Sequence, residues 1–208
     1  MREEKDFTKD LAEIRSMMER SSKFLSLSGL AGIMAGIYAA AGVYIAYSIL
    51  GFRPDSLLYG ISAEYSTFTK TPQLILTASL ILALALITAV YLSYRKSAKR
   101  GEKIRNAATR QLLLAMSLPL VSGGLIILIL LIRGMAGLVL PLSLIFYGLS
   151  LFSASRITGR EVQMLGITQT ALGLISMLFP EYSVYFWAAG FGIVHFIYGI
   201  VIFYRYEQ

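Results

Sequence analysis

Residues 111–155 read QLLLAMSLPLVSGGLIILILLIRGMAGLVLPLSLIFYGLSLFSAS, and Arg133 is their single charge. Two uncharged runs of 22 residues each, 111–132 and 134–155, therefore flank one arginine. A hydrocarbon core about 30 Å thick is crossed by about 20 apolar residues of helix. A soluble helix would show a polar face every 3.6 residues, yet Leu125 to Ile132 is apolar all round. Gly134, directly after Arg133, supplies the turn of a tight helical hairpin.

Four more uncharged windows lie outside this pair, at 24–52, 71–94, 162–180 and 182–204. The reading is an all-α protein, a six-transmembrane-helix bundle with short hairpins. Its spans are expected at about 24–50, 72–94, 111–132, 135–155, 162–180 and 183–204, within one membrane domain over 23–208. Composition agrees: 56% of the 208 residues are hydrophobic and 15% charged, with no cysteine. That excludes a disordered chain, a disulfide-stapled secreted domain and a water-soluble globule.

Orientation follows from the basic residues. With the N-terminus cytoplasmic, the inner segments carry 16 Lys/Arg and the outer segments only Arg53, Lys70 and Arg133. The positive-inside rule then places both termini in the cytoplasm, and the expected location is the inner (plasma) membrane. The net charge of +7 is thus an orientation signal. The basic stretch 95–110 sits between two spans, where anionic headgroups account for it, so no nucleic-acid partner is expected. Residues 1–41 are not expected to be a cleaved leader, because the segment before the apolar run holds six acidic residues.

Residues 1–22 form a helix of another kind. Phe7, Leu11, Ile14 and Met18 share one face among charged neighbours. Either this is a lead-in helix packing on the cytoplasmic loops, or it serves self-association or a protein partner. In the outer loop, Pro54-Asp55-Ser56 opens a short interfacial helix with Leu57, Leu58, Ile61, Tyr65 and Phe68 on one face. Pro119 and Pro141 are expected as tolerated kinks within spans.

The later hairpins look alike. Tyr147-Gly148-Leu149-Ser150-Leu151-Phe152 is repeated 51 residues on as Tyr198-Gly199-Ile200-Val201-Ile202-Phe203. The run Leu165-Gly166, Leu172-Gly173-Leu174, Pro180, Gly190, Gly192 and Tyr198-Gly199 is similar to the glycine-punctuated hairpin of HdeD-type acid-resistance membrane proteins. The tail from Tyr147 to Glu207 resembles a family of uncharacterised six-span bacterial inner-membrane proteins. The first resemblance implies a stress-response setting; the second implies no activity.

Without a hydrophobic drive between helices in lipid, close association uses small residues. Gly29, Gly32, Gly36 and Ala40 form such a stripe on the first span. Gly166, Thr170 and Gly173 do so on the fifth, and Ala188, Gly192 and Gly199 on the sixth. Packing within the monomer explains them; a dimer seam along Gly32 and Gly36 is the alternative.

His195 is the only histidine. Counted from the turn at Pro180-Glu181, it differs from Gln169 in depth by only ~3 Å at about 1.5 Å per residue. A polar midplane layer of His195, Gln169, Thr168, Thr170, Tyr147 and Tyr38 follows. It is either a ligand or proton site or interhelical glue.

One histidine and no cysteine cannot build the usual zinc site, and bis-histidine haem is excluded, so neither metal nor cofactor is expected. No phosphate loop, HExxH or GxSxG occurs. Ser122-Gly123 with His195 is reminiscent of rhomboid proteases, but Leu120 stands where their motif has glycine and no histidine precedes the serine. No acidic pair is expected in the bilayer, which argues against an ion-coupled transporter. The functional expectation is a multi-pass, non-enzymatic binding, interaction or stress-response module whose partners include membrane lipids. The alternative is a small-solute permease or channel with a midplane cavity around His195 and Gln169.

Overall fold

The computed structural model describes residues 28–51, 65–99, 107–133 and 135–207. Among them all regular structure is helical. Helix α1 spans Gly29–Tyr44 and widens into a π-helical turn over Ile45–Ile49. Then follow α2 (Tyr65–Lys99), α3 (Ala107–Ile132), α4 (Val139–Thr158) and α5 (Arg160–Leu178). The last rod consists of α6 (Ser183–Trp187), a π-helical stretch Ala188–Val194 and α7 (His195–Tyr206). Short 3₁₀ turns precede α4 and α6, over Ala136–Leu138 and Pro180–Tyr182.

Five helical segments are long and apolar enough to cross a membrane: Gly29–Ile49, Pro72–Lys99, Ala108–Ile132, Ala136–Thr158 and Pro180–Tyr206. The expected count of six is thus met by five on length and composition. The remaining helix, α5, carries Gln163, Thr168, Gln169, Thr170 and Ser176, which dilute its apolar character.

Several boundaries differ from expectation for identifiable reasons. Helix α2 runs from Tyr65 to Lys99 rather than 72–94, with Pro72 inside it. Tyr65 therefore belongs to a long membrane helix, not to a separate interfacial one. Pro141 lies in the first turn of α4, where its missing N–H is an orphan in any helix, so it makes no internal kink. Pro119 does fall inside α3. Helices α4 and α5 are parted by Gly159 alone, whose φ of 141° is a conformation that side chains resist. The 1–22 helix, Leu57–Ile61 and the Gly134 turn lie outside the described residues.

The helices form a row. Helix α3 packs on α4, α4 on α5, and both α4 and α5 on α6; α5 also touches the last π turn and α7, α7 lies along α1, and α1 along α2. The two flanking helices are the most open: none of the α2 span window and 6% of the α3 window is buried.

Two glycine-lined crossings bring backbones together. On α4 and α5, a Cβ added to Gly148 would lie 2.6 Å from the Gly166 carbonyl oxygen, and one on Gly173 2.9 Å from that of Pro141. On α1 and the last rod, a Cβ on Gly29 would lie 2.6 Å from the Gly199 oxygen and one on Gly36 2.7 Å from the Gly192 oxygen. Gly32 lies over Gly199 in the same seam. Gly148 and Gly199, equivalent in the internal repeat, thus occupy equivalent close crossings. An apolar cluster of Leu151, Val162 and Leu165, joined by Met116, Tyr147, Val194 and Tyr198, fills the space between α3, α4, α5 and the last rod.

One end of the row is tied by charge. The Glu207 carboxylate accepts the backbone N–H of Gly29 at 2.8 Å and Lys96 Nζ at 3.0 Å. Glu161 accepts the Tyr206 hydroxyl at 2.9 Å and pairs with Arg205 at 2.8 Å. A carboxylate at the first turn of α1 also complements the helix dipole.

Candidate functional site

Three of the predicted polar residues meet between α4, α5 and the last rod. His195 Nε2 lies 3.0 Å from the Tyr147 hydroxyl, and its Nδ1 lies 2.9 Å from both Gln169 Nε2 and the Gly190 carbonyl oxygen. Gln169 Nε2 also donates to the Gly190 oxygen at 2.8 Å. Both neutral tautomers of the ring find partners at both nitrogens. With Nδ1 bare, the Gln169 amide donates to it and Nε2–H donates to Tyr147. With Nδ1–H, the ring donates to Gly190 and accepts from Tyr147.

Burial makes the knot consequential. Gln169 is 0% exposed and His195 5%. In such surroundings an unpaired polar group is costly, so these bonds fix the azimuth of three helices. The π-helical stretch presents the Gly190 carbonyl to this cluster; π turns of this kind concentrate at functional positions. Gly190 is required sterically as well, because a Cβ there would collide with Gln169 Oε1 and Leu144 Cδ2. Gln169 Oε1 and Ser176 Oγ, both on the buried face of α5, have no hydrogen-bond partner.

An aromatic column extends from the knot along the last rod. Phe191 stacks on His195 with ring centroids 5.5 Å apart and meets Trp187 in a tilted contact at 4.9 Å; Tyr147 flanks Phe191 at 5.1 Å. Trp187 Nε1 donates to Ser143 Oγ at 3.2 Å, anchoring the column's far end on α4.

The other predicted members lie elsewhere. The Thr170 hydroxyl turns back to the Gly166 carbonyl at 2.9 Å and faces Gly148. Tyr38 bonds Thr88 at 3.2 Å, on the interface of α1 with α2. Thr168 is exposed. Ser122 hydrogen-bonds the carbonyls of Leu118 and Pro119 in its own helix, while both nitrogens of His195 face Tyr147, Gln169 and Gly190. The packing glycines Gly32, Gly36, Gly192 and Gly199 lie in the seam of α1 with the last rod, and Gly173 lies between α4 and α5. Gly190 and Phe191 were not anticipated as members. The sequence clue is a glycine and an aromatic five and four residues before a lone buried histidine.

A second feature lies beside the knot. A groove of about 630 Å³ opens between α1 and the last rod, lined by Gly36, Ala40, Tyr44, Ala188, Gly192 and Phe196 among others. His195 is not in its wall. Among the described residues no three His, Cys, Asp or Glu side chains converge as a metal site.

The chain matches no family model, no curated protein and no solved structure at a significant level. The chemistry of the knot and groove therefore carries the functional argument.

Proposed function

We propose that this chain is a six-span integral membrane protein of the inner (plasma) membrane, with both termini cytoplasmic. In this reading it acts as a non-enzymatic binding or interaction module. The sixth span is α5. Its 19 residues rise about 28 Å at 1.5 Å each, close to the thickness of the hydrocarbon core. It runs antiparallel to α4 and packs closely on it through Gly166 and Gly173. Its polar side chains Gln169 and Ser176 are buried against protein, which lets a less apolar helix lie at membrane depth. The charge bias supports the orientation.

The observation that carries the binding-module reading is the closure of the centre. Tyr147, Gln169, His195 and the Gly190 carbonyl bond one another, and glycine packing occupies the same depth. A permease needs a water-filled path reaching His195, and the groove beside the knot stops short of that residue. Membrane lipids are the expected partners, with residues 1–22 as the segment for a protein partner or self-association. The stress-response role in this proposal rests on the resemblance of the glycine-punctuated hairpin to HdeD-type proteins.

The natural chain has no cysteine, so a single introduced one reads water access cleanly. In His195→Cys, a membrane-impermeant maleimide should label nothing from either side of intact and inverted vesicles, while Tyr185→Cys should react. Both should react after denaturation. Rapid labelling of Cys at 195 in folded protein would replace this proposal with the permease.

A further inference from the structure

The groove between α1 and the last rod has dimensions and lining that select an occupant. On α1 it runs from Gly36 to Tyr47, and on the rod from Val184 to Phe196. These stretches of helix are about 16 and 18 Å long, close to one leaflet of a hydrocarbon core about 30 Å thick. No charged residue lines it. Its phenols, Tyr44, Tyr47 and Tyr185, gather at the end away from the Glu207–Lys96 pair, at the depth where tyrosines meet headgroups. The other end is lined by Gly36, Gly192 and Phe196. The volume of about 630 Å³ falls within the range of ligand pockets, roughly 300–1,000 Å³.

Gly192 provides an independent observation. Every other glycine of the α1 seam with the rod stands where a Cβ would press on backbone at 3.0 Å or less. A Cβ on Gly192 would meet only the Gly36 oxygen, at 3.9 Å, an ordinary contact. Packing does not require glycine there, although glycine costs a helix about 1 kcal/mol relative to alanine. What the missing side chain leaves is the space of the groove itself.

We propose that this groove binds one acyl chain of a membrane phospholipid, with the chain's glycerol end at Tyr44, Tyr47 and Tyr185 and its methyl end over Gly192. This names the ligand of the binding-module reading and rests on it. An uncharged lining about one leaflet long, with its phenols gathered at one end, complements a single apolar chain with a polar head. A charged solute would bury a charge that no charged residue of the lining pairs, and a peptide would lay backbone polar groups along the apolar stretch between the phenols and Phe196.

Native mass spectrometry of detergent-purified full-length protein tests the assignment. Wild type should retain a single phospholipid, and Gly192→Leu, which fills the groove, should reduce that occupancy about tenfold or more. Gly124→Leu adds the same bulk where nothing lies within 4 Å and should retain the lipid as wild type does. Ala40→Phe fills the groove from the opposite wall and should reproduce the loss if Gly192→Leu proves unstable. Equal retention in wild type and the groove variants would overturn the proposal. So would a folded wild type carrying no lipid, or an adduct with the mass of a quinone or peptide. Those failures leave the labelling of Cys at 195 unaffected, so loss of the lipid site and loss of the closed centre are separately readable.

Discussion

Gly199→Ala tests the seam that joins the first helix to the last. The new methyl would lie 2.6 Å from the Gly29 oxygen and 2.8 Å from the Gly32 carbonyl carbon. Ordinary contact is about 3.5–4.0 Å, so α1 and α7 must part by roughly 1 Å. A gap of that size forfeits a quarter to a half of each contact along the crossing. Overpacking of this kind costs about 1–3 kcal/mol. Alanine also gains helix propensity over glycine, up to about 1 kcal/mol, which would mask part of the loss. Gly124→Ala supplies the reference: it gains the same propensity on an open face of α3. The difference between the two variants isolates the crossing, at about 1–3 kcal/mol. The sole tryptophan, Trp187, sits in the aromatic column and reports unfolding in mixed micelles by fluorescence. Gly199→Ala as stable as Gly124→Ala would refute the seam.

Other perturbations address the knot and the charged end. Tyr147→Phe and His195→Ala, alone and together, should show a coupling of about 0.6 kcal/mol, with about 1.7 kcal/mol as the ceiling for such bonds; no coupling would contradict the Tyr147–His195 bond. Gln169→Leu should cost less than His195→Ala in the same unfolding assay. It removes the unpartnered Oε1, and Gly190 and His195 Nδ1, 2.9 Å apart, can still pair. Glu207→Ala should cost about 0.5–2 kcal/mol, the range for lost caps. It should also speed hydrogen exchange in the first turn of α1, because the Gly29 N–H loses its acceptor; unchanged exchange would show that the carboxylate does not hold that turn.

The helices were legible because charge is expensive in lipid, and the uncharged windows around Arg133 mark where it is absent. Helix α5 was legible by the same rule although its mean apolar character is lower, since beyond Arg160 and Glu161 at its start its polar groups are uncharged. Depth was legible too: counting from the Pro180-Glu181 turn brings Gln169 and His195 to one level, and they lie 2.9 Å apart. Azimuth was not. Thr170 is one residue from Gln169, about 100° around the helix, and so faces Gly148 instead of the knot. Tyr38 sits at a plausible depth, but α1 gives its glycine edge to α7 and turns Tyr38 towards α2. The π-helical stretch was illegible because it is a backbone irregularity, with no side-chain period to announce it. Without it Gly190 reads as one more packing glycine.

The sidedness of α5 tests the membrane account most directly. Single cysteines at Arg160, which begins that helix, and at Tyr182, in the 3₁₀ turn after it, both exposed, can be labelled in intact and inverted vesicles with an impermeant reagent. Positions 160 and 182 should react from opposite faces, with position 160 on the same face as Lys99→Cys. Labelling of positions 160 and 182 from one face would mean that α5 does not cross, and the six-span bundle around His195 would be wrong.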